Sequence, residues 1–245
     1  MPAPTLVAVA HGSRDPRSAA TVAALMDQVR WARPDVPAHL AFLDLNAPSV
    51  GQVLDAVVAD GERHAVVVPL LLGSAFHARV DLPGLLAEAS MRHPRLHITQ
   101  GNVFGADLRL ISLLHHRVRE FCTTHGWDDR IGIALAAVGS SSAAANQDTA
   151  RLARRFAART DYPTEVCFAT TQPSLSHAVQ RLRARGAEKL LVAPWFLAPG
   201  LLTDRLRDQE PDLPHTMPLG PDPALAEVVW DRYDAASARP LPLTA

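Results

Sequence analysis

Lysine is almost absent from this chain of 245 residues: Lys189 stands alone against 23 arginines. Genomic bias accounts for most of such a skew, although the guanidinium fork also suits carboxylate ligands. Cysteine is scarce too. Cys122 and Cys167 are far apart and form no C-x-x-C pair, which excludes a disulfide framework and predicts free buried thiols in a reducing cytoplasm. Long apolar runs are missing. The longest, Leu190 to Leu202, is broken by Pro194 and Pro199 and is too short to span a bilayer. The N-terminus has no basic region followed by an adequate apolar stretch, so no signal peptide is expected and the predicted location is the cytoplasm. A net charge of −1 implies neither a nucleic acid nor a membrane surface as partner.

Several motifs are missing as well. There is no complete G-x-G-x-x-G and no P-loop lysine, which disfavours dinucleotide and ATP binding. No G-x-S-x-G elbow is present, which argues against an α/β-type hydrolase.

What is there is a repeat. Leu6 to Ala10 leads into His11-Gly12-Ser13-Arg14, and Val66 to Leu72 leads into Gly73 and His77. The second copy reads Ile131 to Ala137, then Val138-Gly139-Ser140-Ser141, and later Leu190 to Leu197 running into Leu202. Where the first copy has His11 and His77, the second has Val138 and Leu202. Short β-branched or Leu-rich runs alternate with helical stripes. Strands are predicted at 6–10, 39–43, 65–72 and 96–99, then at 131–137, 165–169, 189–195 and, weakly, 216–218. Val22, Leu25, Met26 and Val29 form one helical stripe, and Val50, Val53, Leu54, Val57 and Val58 another. Pro48-Ser49 and Pro173-Ser174 open equivalent helices.

This alternation predicts an α/β protein of two similar domains, each a mainly parallel sheet with helices on both faces. The halves are residues 1–125 and 126–245, joined through the polar stretch Thr123–Arg130.

In open α/β sheets, ligands bind outside the carboxyl ends of the strands. His11 follows the first strand directly, Asp44 follows the second, and His77 follows the third after a short loop. Two imidazoles and a carboxylate at one sheet edge suit a divalent transition metal or proton transfer near neutral pH. A lone histidine after a strand is ordinarily a hydrogen-bonded loop residue, and a lone Asp44 a cap or turn residue. The second copy argues otherwise: it replaces both histidines, and at Asp44 it has Ala169 or Thr170, depending on a one-residue shift. Substitutions at Val138 or Leu202 are therefore expected to alter stability more than catalysis. Gly12-Ser13 begins a strand-to-helix turn whose N–H groups are candidates to receive an anion. For residues 139–142 a flexible loop is expected over a second anion-accepting turn. The adjacent His115-His116 cannot share a helix face, so surface or packing roles are expected there.

The ordered set His11-Gly12-Ser13-Arg14, Phe42 to Leu45 with Pro48-Ser49, and Pro69 to Gly73 with His77 and Asp81 to Pro83 resembles the class II chelatases. Within these it is similar to the sirohydrochlorin chelatases of the CbiX and SirB type. The series covers the first half in order, and a degenerate version covers the second.

The resemblance implies two α/β domains facing one another across a cleft. It also implies insertion of a divalent ion into a metal-free tetrapyrrole without ATP. By motif match the catalytic and metal-handling roles fall on His11 and His77, with Asp44 at the family's usual glutamate position, one methylene shorter. Sirohydrochlorin is a polycarboxylate, and Ser13, Arg14 and Arg79 are the expected contacts. No resident cofactor is implied: Fe²⁺ or Co²⁺ is the substrate. The lack of a histidine-rich tract favours iron for siroheme over cobalt for cobalamin. A non-catalytic tetrapyrrole or metal carrier is the rival, and a two-lobed solute receptor is disfavoured by the absent signal peptide. A monomer is sufficient, although an oligomer is compatible.

Overall fold

Strands covered on both faces must be apolar throughout, because neither pleat surface meets water. Thr5–Ala10 (β1) and Ile131–Ala137 (β5) are buried at every position. The computed structural model describes residues 3–73 and 80–238, and in it the chain forms two compact units.

The first unit gathers Met1–Arg14, Val22–Gly105 and Asp222–Ala245. Its sheet joins β1 to Ala38–Phe42 (β2), His64–Pro69 (β3) and His97–Gln100 (β4) in the order β2-β1-β3-β4, all parallel. The connecting helices are Pro16–Ala32 (α1), Val50–Ala59 (α2) and Leu82–Arg92 (α3). Val7, Val9, Ala65 and Val67 pack one sheet face against Val53 and Leu54 of α2 and Leu82 and Leu86 of α3.

The second unit gathers Asp15–Thr21 and Ala106–Pro221. Its sheet has Thr164–Phe168 (β6), β5 and Lys189–Pro194 (β7) in parallel order β6-β5-β7. Its helices are Leu108–Thr124 (α4), Ala143–Thr160 (α5), Leu175–Ala184 (α6) and Leu201–Gln209 (α7). Ala134, Cys167, Val192, Val179 and Leu182 share its core. Ser49 caps α2 and Ser174 caps α6 through backbone N–H groups at 3.3 Å, so each proline lies just before its helix rather than in the first turn.

The last helices of the two sequence halves are exchanged. Pro223–Ser237 (α8) closes the first unit. Its Trp230 indole donates to the Val29 carbonyl at 3.1 Å, and the Tyr233 hydroxyl donates to that of Pro4 at 2.6 Å. Arg33 stacks over the Trp230 ring at 4.4 Å. In turn α4, from the first sequence half, lies in the second unit, where His115 meets the edges of Phe156 and Tyr162 at 6.2 Å. Burial lowers the pKa of His115, in keeping with a packing role.

The weak strand predicted at 216–218 does not form. Val192 and His215 make a single bridge, the Thr216 N–H donates to the Val192 carbonyl at 2.9 Å, and the pairing stops there. Pro214 and Pro218 flank the segment, and proline has no N–H to extend a ladder.

Cys122 and Cys167 are free and buried, and burial pushes the Cys167 thiol up to about 12. No helix among the described residues is long and apolar enough to cross a membrane.

His215, in that aborted strand, has both ring nitrogens buried and without a hydrogen-bond partner among the described residues. Burial, followed by the charge of Arg207, depresses its pKa to about 4. The folded-state value lies below the unfolded one of about 6.5, so the unfolded chain binds more protons between those limits. The stabilising contribution is complete above pH 6.5 and falls as the pH drops toward 4. Urea unfolding should show His215→Leu losing about 1–2 kcal/mol less than wild type between pH 7 and pH 5. Equal losses would mean that the ring is hydrated in solution.

Candidate active site

The register Ala10↔Phe42 brings β1 and β2 to an end together, so their loops emerge side by side at the carboxyl edge of the first sheet. The Leu43 N–H donates to the Ala10 carbonyl at 2.9 Å, and the Asp44 N–H donates to the His11 carbonyl at 3.0 Å. His11 and Asp44 are therefore brought together through their backbones. The Asp44 side chain is exposed, and one of its carboxylate oxygens accepts the Leu45 N–H at 2.7 Å. His11 is half-buried and Arg14 is exposed.

The turn after His11 depends on glycine. Gly12 has φ +97°, and a Cβ built on it would stand 1.8 Å from the Asp44 carbonyl oxygen. Only a residue without a side chain lets the two loops approach this closely.

Part of the anion site expected at this turn is occupied by the protein's own side chains. The Ser13 N–H donates to the Asn46 side chain at 2.6 Å. At the start of α1 the carboxylate of Asp15, only 6% exposed, accepts the Arg17 N–H at 2.9 Å as an N-cap. The Arg17 guanidinium also binds Asp15, holding its carboxyl below the usual range, and reaches Asp204 of α7. An exogenous anion would meet a carboxylate there. The Ser13 and Arg17 amides are thus already used within the protein.

The second unit repeats the turn without the imidazole or the carboxylate. The Thr170 N–H donates to the Val138 carbonyl at 3.0 Å, and the Ala169 N–H to that of Ala137 at 2.9 Å. Val138 therefore matches His11, and Thr170, not Ala169, matches Asp44. Val138 is 43% exposed, so its substitution is expected to change stability only slightly. Residues 139–142 are tied to the helix that follows them. The Asn146 side chain accepts the Ser140 N–H at 2.9 Å, and Ser142 caps α5.

His77 and Arg79 lie outside the described residues. Leu202, which the repeat sets against His77, sits inside α7. Residues 70–81 connect β3 to α3, whereas only 195–200 connect β7 to α7. Among the described residues, no group of three or more His, Cys, Asp or Glu side chains is placed to hold a metal ion.

Reasoning from the sequence missed Asn46, Asp15 and Arg17. Asn46 carried no signal that the repeat could reveal. Its counterpart in the task of holding the turn, Asn146, comes from a helix rather than from the loop after the second strand.

A family model described as CbiX matches residues 5–121 and 132–236. The chain is 28% identical over 205 residues to a sirohydrochlorin cobaltochelatase of Priestia megaterium, with 82% of this chain and 66% of that protein covered. It is 26% identical over 204 residues to a sirohydrochlorin ferrochelatase of the same organism, covering 82% and 76%. Its fold matches that of SirB from Bacillus subtilis with Fe³⁺ at a TM-score of 0.80 and 22% identity, over 96% of both chains.

Proposed function

The chain belongs to the CbiX family, and on that footing we propose that it is a sirohydrochlorin chelatase, inserting a divalent metal ion into metal-free sirohydrochlorin without ATP. Fe²⁺ is the favoured ion and the cytoplasm the place of action. The first unit carries the reaction, and the second is a degenerate copy. The observation that carries this reading is the joining of the β1 and β2 loops. Hydrogen-bonded through the His11 carbonyl, they place an imidazole and a carboxylate on adjacent turns of one sheet edge.

Metal insertion strips water from the ion while the two pyrrole N–H protons leave the ring. Neutral imidazole either ligates the ion or accepts a proton, and its ordinary pKa of about 6.5 allows both near neutral pH. His11 takes this role together with His77. Asp44, in solvent contact, draws the cation toward the ring or removes a proton. Ser13, Arg14 and Arg79 meet the substrate's carboxylates; for Ser13 only the hydroxyl serves, since its N–H is taken by Asn46.

The choice of metal rests on the absence of a histidine-rich tract, because relatives of both names stand at 28% and 26% identity. The test is an anaerobic absorbance time course of sirohydrochlorin with Fe²⁺ or Co²⁺, with and without protein. A catalysed rate, faster with Fe²⁺, is expected. A rate equal to the protein-free reaction would identify a carrier instead, and a faster rate with Co²⁺ would place the chain in cobalamin synthesis.

Asp44→Asn keeps the oxygen that accepts the Leu45 N–H but removes the charge. Its turnover should fall about tenfold, a barrier change of about 1.4 kcal/mol, with the unfolding midpoint unchanged. Unaltered kinetics would assign Asp44 to the turn alone.

A further inference from the structure

The opposite end of the first sheet holds a second pair of histidines. His64 opens β3 and His97 opens β4, and the parallel register sets them directly across from each other. Thr99, two residues beyond His97, shares its face of the strand. The Nε2 atoms of His64 and His97 each lie 3.2 Å from the Thr99 hydroxyl oxygen. The ring centroids are 4.7 Å apart with an interplanar angle of 67°. All three side chains are partly exposed.

We propose that His64 and His97 bind one divalent transition-metal ion, of the Co²⁺, Ni²⁺ or Zn²⁺ class, through their Nε2 atoms. Water completes the shell, with the Thr99 hydroxyl beside it. This site is separate from the metal-insertion site and does not rest on the proposed reaction.

Both geometry and protonation favour an ion. Both Nε2 atoms lie 3.2 Å from the same hydroxyl oxygen with the ring centroids 4.7 Å apart, a spacing that suits two imidazoles each about 2.1 Å from one ion. The rings stand edge to face, as imidazoles do when they take adjacent positions around one ion. Neighbouring strands in fixed register hold both residues, so little freedom is lost on binding. A single hydroxyl can donate to only one of the two nitrogens and must accept from the other, which ties the two rings to opposite tautomers. An ion satisfies both as bare acceptors. Burial lowers the pKa of His64, and the charge of His97 adds to this, which favours the neutral ligating form near pH 7.

The test is Co²⁺ titration of the full chain followed by NMR of the ring protons, with signals assigned from His64→Gln and His97→Gln. The His64 and His97 signals should shift and broaden together with one dissociation constant. His97→Gln should weaken the response of His64 by about tenfold or more and leave the rate of metal insertion within twofold of wild type. Signals that stay put, or that respond with different constants, would overturn the site. If either variant fails to fold, the joint response in the wild-type protein still decides the matter.

Discussion

His11→Ala should reduce the rate of metal insertion by at least about a hundredfold, toward the spontaneous reaction, while shifting the thermal midpoint by only a few degrees. Both halves of this expectation come from the structure. The imidazole is half-buried on a loop rather than packed in the core. The hydrogen bond that holds the turn uses the His11 carbonyl, which alanine retains. The second unit performs the control in the same molecule: Val138 occupies the equivalent place, its carbonyl bound by Thr170 as that of His11 is bound by Asp44. His11→Val, which copies that unit, should be equally inactive and equally folded. His77→Ala should match it, since one imidazole cannot both deliver an ion and take up protons. Kinetics at the wild-type rate in either variant would remove that histidine from the reaction. A large fall in stability would instead make His11 a structural residue.

The strands and their carboxyl edge were legible because β1 and β5 are sealed on both faces, and such strands spell continuous apolar runs. Once a strand end is located, the first polar residue beyond it lies at the edge where ligands gather, which is how His11 and Asp44 were found. The exchange of α4 and α8 was not legible. An apolar stripe such as Leu225, Val228, Val229 and Trp230 states that a helix must cover something, without specifying which sheet. The fourth strand of the second unit looked plausible by analogy with β4, yet Pro214 and Pro218 withhold the donors a ladder needs. Turn occupancy was equally hidden. A free N–H at the start of a helix looks the same in sequence as one already taken by Asn46, or as one neutralised by the buried Asp15.

Gly12→Ala should be the most damaging single-methyl change in the chain, and three glycines of similar backbone show why. Gly12, Gly139 and Gly61 have φ of +97°, +91° and +86°, so an alanine at any of them bears comparable backbone strain of about 1–2 kcal/mol. Their surroundings differ. At Gly61 an added Cβ meets nothing within 4 Å, and the strain is the whole cost. At Gly139 the nearest atoms belong to side chains: Thr171 Cγ2 at 2.8 Å and Thr170 Oγ1 at 2.9 Å turn away at the cost of the Thr170 bond to the Val138 carbonyl, and Phe168 Cβ at 3.0 Å must give by a few tenths of an ångström. At Gly12 the obstacle is the carbonyl oxygen of Asp44 at 1.8 Å, fixed in the backbone that pairs with His11. Chemical denaturation should therefore rank the losses Gly12→Ala first, at about 3 kcal/mol or more, then Gly139→Ala, then Gly61→Ala at about 1 kcal/mol. Activity should separate the two turns more sharply still. At a temperature where all three variants are folded, Gly12→Ala forces the Asp44 loop away from His11 and should lose metal insertion. Gly139→Ala distorts the turn that has neither imidazole nor carboxylate and should keep it. Comparable activity in the Gly12 and Gly139 variants would mean that close approach of the β1 and β2 loops is not what the reaction requires.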